Sequence, residues 1–584
     1  MSRNPEIAEL LEEFANLLDA KDVEYKPQSY RRAAENILDY PVAIEELADE
    51  GVETVKEIEG VGDAIASKVV EYFETGRIVE LDELRSELPV NMAELTAVEG
   101  VGPKSVGKLY EALEITSLDD LEAAAAANEI QDVAGFGKKT EANIRENIPF
   151  AKEASKRELL GHGRPVADEL LTYLSSHDAV SKSSVAGSIR RWKPTIGDID
   201  ILVASSTPAD AIECFTDWER VESVVQSGET KASIRARGIQ IDLRVVQIDE
   251  FGSALQYFTG SRDHNVGLRQ RAIDRGLKMN EYGVFDVSHL AESAAKSDQR
   301  AGKRIAGVTE AEMYDAVDLP VIPPELRQDS GEIDAAAAES LPTLIESSAI
   351  RGDLHTHTEW SDGNGTIEEM ADSAQSHGYD YLAICDHATG PGMVGGVGIA
   401  DDVLLDQYDE IEAIRADLDI TLLAGVEANI DESGQISVAD SVLEALDIVV
   451  ASPHNALDQS GEEATDRLIR AISHPAVTIL GHPTGRLLNR RAGLDFAIEE
   501  VAEAAAEHDT ALEVNAHPQR LDLDGTLVRV ARNNGARIAI NTDAHSQTEL
   551  GNIRYGLHTA RRGWAEADDV INAWDFSDLQ DFIG

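Results

Sequence analysis

The chain has 584 residues, of which 42% are hydrophobic, and 51 Lys and Arg against 109 Asp and Glu give a formal charge of −58. That length is too great for one core and implies several domains, while the apolar content excludes a disordered chain. No run approaches the roughly 20 apolar residues of a membrane span. The opening MSRNPEIAELLEEF has helical spacing, not a signal-peptide apolar region, and the two cysteines, Cys214 and Cys385, stand apart from any CxxC pair. A disulfide framework is therefore excluded, and a reducing, cytoplasmic compartment is expected.

Residues 1 to about 155 read as helical, with apolar side chains at spacings of three and four, as in Ile7, Leu10, Leu11, Phe14, Leu17 and Leu18. Three glycine turns punctuate this region: Gly60-Val-Gly62, Gly100-Val-Gly102 and Gly135-Phe-Gly137. Each precedes a helical run with Lys or Arg, spanning Ala64–Phe73, Lys104–Leu113 and Lys138–Ile148, an internal repeat of the helix-hairpin-helix pattern. A GxG turn entering a helix presents free backbone amides, which bind a DNA phosphate without reading a base. A single such turn is often only a helix breaker, but three in order point to DNA holding.

From about 160 to 250 the pattern becomes mixed helix and strand. Gly187-Ser188-Ile-Arg190-Arg191 leads to Gly197-Asp198-Ile199-Asp200-Ile201, which reads as a strand with Asp198 and Asp200 on one face. A second strand, Ile239 to Val245, puts Asp242 on its polar face. Adjacent carboxylates repel, and three of them suit two divalent ions for in-line phosphoryl transfer. Ser188, the Gly187 amide and the cations Arg190 and Arg191 suit triphosphate oxygens. An isolated DxD is also what a solvated strand end gives; the neighbouring Gly-Ser, Arg-Arg and third Asp set this one apart.

The segment GSIRRWKPTIGDID resembles the nucleotidyltransferase signature of family X DNA polymerases, and Tyr257-Phe258-Thr259-Gly260-Ser261 with Asn280-Glu281-Tyr282 resembles that family's thumb. The resemblance implies catalytic Asp198, Asp200 and Asp242 holding Mg²⁺ or Mn²⁺, with phosphate contacts from Ser188, Arg191 and Arg157. It implies Tyr257, Phe258 and Gly260 against the sugar as a gate against ribonucleotides, with Asn265 and Arg269 reaching the base and minor groove. YRRAAENILDYP with Gly60-Val-Gly62 resembles the family's lyase domain, where Lys68 could form a Schiff base if its amine is free. Ala64 stands where a second cation of the beta-type lyase pocket would be.

A stretch with Pro320 and Pro323-Pro324, ending in an alanine run, reads as a linker. Beyond about 347, β-type runs alternate with helices, and 11 of the 15 histidines lie after residue 350. Seven strand-like runs end at or near His355 and His357, His387, Glu427, His454, His482, Asn515, and Asp543 with His545; Asp362 lies in the loop after His357. A parallel barrel gathers such ends on one face. Imidazole and carboxylate in that number suit two or three metals for phosphoester hydrolysis. DLHTHTEWSDG, ICDH, GVEANI, ASPHN, LGHP and NTDAH resemble the polymerase and histidinol phosphatase (PHP) family. That resemblance implies His355, His357, Asp362, His387, Glu427, His454, His482, Asp543 and His545 as ligands of two or three Zn²⁺, Mn²⁺ or Fe²⁺, with Glu427 as the bridge.

The expected architecture is therefore multidomain: a helical 8-kDa-like DNA-binding and lyase-like domain (1–85), a helix-hairpin-helix subdomain (86–157), an α/β nucleotidyltransferase palm (158–250), a thumb (251–320), a linker (321–346) and a distorted (β/α)7 TIM-like PHP barrel (347–584). The order resembles bacterial and archaeal family X polymerases with a C-terminal PHP domain. This implies a monomer that fills short gaps in nicked or gapped DNA from dNTPs, with a 3′-5′ exonuclease, 3′-end-processing or abasic-site endonuclease head. A small-molecule phosphoesterase with a DNA-binding front half is the alternative, as is a barrel that serves only as a platform. The acid excess is spread along the whole chain and resembles that of proteins from extreme halophiles. In molar salt the Debye length falls to about 3 Å, so self-repulsion is screened and DNA gains little from counterion release.

Overall fold

A computed structural model describes residues 3–584 apart from 24, 39, 41–42, 59, 99, 155–156, 291–297 and 392–396. Glu59 and Glu99, inside the first two glycine turns, and part of the expected thumb thus lie outside the described residues. Every regular element before residue 155 is helical. The apolar stripe of Asn4–Ala20 buries Ile7, Leu11, Phe14 and Leu18, and Phe14 stacks on Tyr30 at 4.4 Å. One helical core runs from Ile7 to Ala151 and shares no buried side chain with the rest of the molecule.

Among the described residues seventeen strands follow, in four sheets. A short pair, β1 (Glu158–Leu159) and β3 (Thr195–Ile196), braces the entrance to the palm. The palm sheet contains β2 (Lys182–Val185), β4 (Ile199–Ala204), β5 (Ser223–Ser227), β6 (Lys231–Ala236) and β7 (Ile239–Val246), in the order β2-β4-β7-β6-β5. Along β7 burial alternates strictly, so Ile239, Ile241, Leu243 and Val245 enter the core while Asp242 faces out. Parallel pairing of β4 with β7 puts Asp200 directly beside Asp242. The thumb has a three-stranded antiparallel sheet of β8 (Leu277–Asn280), β9 (Gly283–Asp286) and β10 (Lys303–Ala306).

The stretch expected as a linker is ordered and packed. Pro324–Leu326 forms a 3-10 turn and Glu332–Ala337 a helix, and Ile322, Leu326 and Ala336 enter the thumb core beside Met313 and Tyr314. Proline at the first position of a helical turn pre-sets its φ, so the prolines start structure here. Arg327 is fully buried, tied to Glu310 at 2.6 Å and to the Ile322 carbonyl at 2.8 Å.

The C-terminal sheet is all parallel and strictly sequential: β11 (Gly352–Thr356), β12 (Tyr381–Ile384), β13 (Thr421–Asn429), β14 (Ile448–Ser452), β15 (Ile479–Leu480), β16 (Ala511–Asn515) and β17 (Arg537–Asn541). A parallel bridge from Thr356 to Ala544 brings the last strand back to the first, so the seven strands nearly close a TIM-like barrel. Its helix Ile553–Arg562 faces the rest of the molecule. His558 stacks on Trp192 of the palm at 3.6 Å and 9°, and His558 and Arg561 both reach Glu325, at 2.7 and 2.8 Å. Leu521 and Tyr555 of the barrel lie inside the palm core. Among the described residues no helix is long and apolar enough to cross a membrane.

Candidate active sites

The first site opens at the edge of the palm sheet. Asp198 immediately precedes β4, Asp200 is its second residue, and Asp242 sits opposite. Burial raises the Asp200 carboxyl to about 7, with repulsion from Asp198 and Asp242 adding to it, and burial and Asp242 raise Asp198 as well. Gly187 has φ +56°, and a Cβ there would collide with the Asp200 carboxylate. The bare backbone thus lets the turn carrying Ser188 close against the carboxylates. Three half-buried carboxylates with no cation between them are the donor set a divalent ion fits.

Arg157, Ser188, Arg191, Asp198 and Asp200 line one cleft of about 760 Å³. Arg157 is held by Thr195 through its hydroxyl at 2.8 Å and its carbonyl at 2.5 Å. Arg190 departs from expectation. Its guanidinium pairs with both oxygens of Glu310 at 2.8 Å and reaches the Thr259 hydroxyl, so it ties palm to thumb and turns away from the phosphate side. Arg191 donates to the Thr259 carbonyl, and its Nε is buried without a partner. Tyr257 and Phe258 meet edge to face at 5.1 Å, and Arg244 lies 4.4 Å over the Phe258 ring. Gly260, beyond the helix Phe251–Thr259, packs against the Arg191 guanidinium. Asn265 accepts from Gln256 at 2.8 Å and donates to the Tyr257 carbonyl at 2.7 Å, so its amide braces the aromatic pair. Arg269 is exposed beside it.

The glycine turns lie where the sequence puts them. Gly60, Gly100 and Gly135 have φ of +73°, +84° and +95°. Gly62 and Gly102 are the N-cap residues of Asp63–Thr75 and Pro103–Leu113, and no side chain caps either helix. Gly137 directly precedes Lys138–Ala154, and open space lies before Gly62, Gly100, Gly102 and Gly137. Lys68, in contrast, is not poised as a free amine. It pairs with Glu80 at 2.8 Å and lies over the Phe14 and Tyr30 rings at 5.3 and 5.8 Å. Burial opposes its charge, but Glu80 and Tyr30 outweigh that and raise the ammonium above its ordinary value. A Schiff-base nucleophile needs the opposite shift.

The second site fills the mouth of the barrel, where all nine expected side chains converge. His357, Asp362, His387 and His545 form one group, His355, His357 and Asp543 a second, and His387, Glu427 and His454 a third. Glu427 lies at the centre: His387 Nδ1 is 2.6 Å from one oxygen, and His482 and His454 Nε2 are 3.0 and 3.2 Å from the other. Glu427 sits inside β13, two residues before its end, and His355 lies within β11, so these two are deeper than strand-end positions. His355 Nε2, both nitrogens of His357, His387 Nδ1 and Glu427 Oε2 are buried without hydrogen-bond partners although they face one another. Donor atoms that crowd together but do not bond are what metal ligands leave in the absence of the ion.

Burial works against every charge here, and the mutual pairing overrides it at most positions. Glu427 and Asp543 are held well below the carboxylate range by the surrounding imidazoles, and Asp362 lies below it too. Glu513, Glu427 and Asp543 raise His355 well above its ordinary value, and Asp362 and Asp543 raise His545 to about 10. His357, buried and facing His545 and His387, is pushed down to about 4. The sequence reading missed the supporting residues. Glu513 accepts from His355 Nδ1 at 2.8 Å, and Asn429 holds His454 Nδ1 at 2.6 Å, each fixing which ring nitrogen faces the centre. Arg520 stands 3.7 Å from Asp543.

Comparison with known proteins covers the whole chain. Residues 2–78 match a helix-hairpin-helix domain, 92–148 a SAM-like helix-hairpin-helix tandem, 254–328 the DNA polymerase beta thumb and 353–517 the PHP domain. A DNA polymerase/3′-5′ exonuclease PolX of Bacillus subtilis is 34% identical over 99% of both chains. A probable phosphatase of Caldanaerobacter subterraneus is 34% identical over 34% of this chain and 78% of its own. One of Thermoanaerobacter pseudethanolicus is 28% identical over 40% of this chain and 93% of its own.

Proposed function

The chain belongs to the family X DNA polymerases with helix-hairpin-helix, thumb and PHP domains, and on that premise we propose that it fills short gaps in DNA during repair and processes 3′ ends with a second head. The palm polymerises DNA and the barrel hydrolyses phosphodiesters as a 3′-5′ exonuclease. What carries this reading is that one chain holds two separate candidate donor sets, Asp198, Asp200 and Asp242 at the start of β4 and along β7, and nine side chains at the barrel mouth. The phosphatase relatives align over only about a third of the chain, which leaves the palm and the glycine turns without a role in the small-molecule alternative.

Asp198, Asp200 and Asp242 would hold Mg²⁺ or Mn²⁺, and the barrel set would hold two or three Zn²⁺, Mn²⁺ or Fe²⁺. When bound, such ions lower the pKa of an attacking hydroxyl or water and offset charge on the phosphate. The protein's own groups do the remainder. Ser188, Arg191 and Arg157 receive the triphosphate, and Tyr257, Phe258 and Gly260 wall the sugar so that a 2′-hydroxyl has no room. Asn265 holds that wall through the Tyr257 carbonyl, and Arg269 reaches the minor groove. Gly60, Gly62, Gly100, Gly102, Gly135 and Gly137 hold DNA phosphates through backbone amides. That suits a chain of charge −58, and the same acidity supports a halophilic origin, while two cysteines outside any CxxC pair support a reducing, cytoplasmic compartment.

Paired variants assayed from dilute buffer into molar potassium chloride test the whole reading. Asp198→Ala with Asp200→Ala abolishes incorporation and spares 3′-end hydrolysis; His355→Ala with His357→Ala does the reverse; both folds persist best in molar salt. Loss of both activities from either pair, with the fold retained, would falsify the two-site reading, and full stability in dilute buffer would remove the halophilic part.

A further inference from the structure

The cleft beside the palm carboxylates is not built by the palm alone. One wall comes from the barrel, through Arg486, Asp524–Thr526, Thr559 and Arg562. Five cations meet there, Arg157, Arg191 and Lys193 from the palm and Arg486 and Arg562 from the barrel, in a chain with only 51 Lys and Arg among 584 residues. Three carboxylates share the cleft. Asp198 and Asp200 lie at its catalytic edge, and Asp524 is engaged as the helix cap of Gly525–Asn533, accepting from Thr526 and Leu527 at 2.7 and 3.0 Å.

The cations are unequally occupied. Arg486 is spent on the Arg520 carbonyl at 2.8 Å, the Leu521 carbonyl and Asp524. Arg562 donates one Nη to the Arg191 carbonyl at 2.9 Å, and among the described residues no carboxylate pairs with it directly, although Asp524 favours its charge at longer range. No side chain among the described residues bonds to the Lys193 ammonium, and the Arg191 Nε is buried and unpartnered. Burial together with the crowd of like charge pushes Lys193 down to about 8 and Arg562 to about 10. Five cations outnumber the three carboxylates here, and with Asp524 engaged as a helix cap the cations still repel one another; a polyanion is what relieves that repulsion.

We propose that Arg562 of the barrel and Lys193 of the palm bind the β- and γ-phosphates of the incoming nucleoside triphosphate, so that the hydrolytic domain supplies part of the polymerase's nucleotide site. The inference rests on the palm being a nucleotidyltransferase site. In that reaction the primer 3′ oxygen bonds to the α-phosphorus, the bond from that phosphorus to the bridging oxygen breaks, and pyrophosphate leaves. The two cations line, with Arg191, the same cleft as Asp198 and Asp200, where they would face the charge that the leaving pyrophosphate gathers.

The full-length protein tests this with Arg562→Gln, Arg562→Lys and Lys193→Ala. Arg562→Gln keeps a donor for the Arg191 carbonyl and removes only the charge. It is expected to raise KM for dNTP about tenfold or more and to weaken binding of inorganic pyrophosphate, measured by calorimetry without metal, to a similar degree. Arg562→Lys recovers most of both, Lys193→Ala matches Arg562→Gln, and 3′-end hydrolysis is unchanged in all three. If Arg562→Gln leaves KM for dNTP and pyrophosphate affinity as in the unaltered protein, Arg562 only braces the domain contact and the inference is wrong. It is equally wrong if the loss appears only in KM for gaps bearing a 5′-phosphate, for then the cations hold DNA. Failure of the unaltered protein to incorporate nucleotides would instead sink the polymerase reading itself.

Discussion

In the palm three carboxylates meet with no imidazole among them, whereas at the barrel mouth three carboxylates sit among six imidazoles. The same burial therefore has opposite results. Asp200 is driven up to about 7, while Glu427 and Asp543 are held far below their ordinary range. A cation arriving in the palm relieves repulsion; one arriving in the barrel must displace protons that already balance the charge.

The largest test of that contrast is Glu427→Gln. Its carboxylate lies within 4 Å of His355, His357, His387, His454 and His482, so the change removes the charge that these five imidazoles share. Hydrolysis of a 3′-terminal nucleotide is expected to fall by at least about a thousandfold, with incorporation unaltered. A comparable fall in both would mean that the two sites are not separate.

Proton release on metal loading gives a second, smaller signal. At pH 8 the barrel of the metal-free protein still carries a proton on His545, whose pKa lies at about 10, and His355 is shifted in the same direction, so added Zn²⁺ or Mn²⁺ releases protons. Asp200, at about 7, is mostly ionised at that pH and releases little. The Asp198→Ala with Asp200→Ala variant should therefore match the unaltered protein at pH 8 and release fewer protons than it at pH 6. Equal release at both pH values would show that Asp200 is not raised.

The smallest effect concerns stability. A carboxyl raised in the folded state destabilises the fold once it ionises, so stability falls as pH rises from the unfolded value near 4 through about 7. Asp200→Asn removes that term. It should stabilise the metal-free protein at pH 8 by on the order of 1–2 kcal/mol, less than the full shift because the cleft admits solvent. Denaturant unfolding reads this directly, and a loss of stability at pH 8 would reverse the electrostatic account.

Much of this was legible in the chain because the periodicities are simple. Alternation on β4 and β7 sets Asp200 and Asp242 on a polar face, and sequential parallel strands bring His355 to His545 to one mouth. Glu513 was not legible: its alternate position in a buried strand carries no mark that distinguishes a support for His355 from a core error. Arg190 was misread because nothing near it in sequence announces Glu310, 120 residues away. The 321–346 stretch looked structureless because its stabilising contacts, Arg327 with Glu310 and Glu325 with Arg561, are all distant in sequence. Lys68 was expected as a possible nucleophile, and its contacts with Glu80 and Tyr30, which raise its ammonium, are not visible from its neighbours in sequence.

The helix Ile553–Arg562 deserves to be seen as a strut. Trp192 rests on it from the palm, Glu325 is clamped to it from the thumb, and its other face packs against β16 and β17. Contacts on both faces of this one helix tie the barrel to the palm and the thumb. Were that tie to hold during turnover, a primer terminus would pass from synthesis to trimming by movement of the DNA, not by a swing of one domain toward the other.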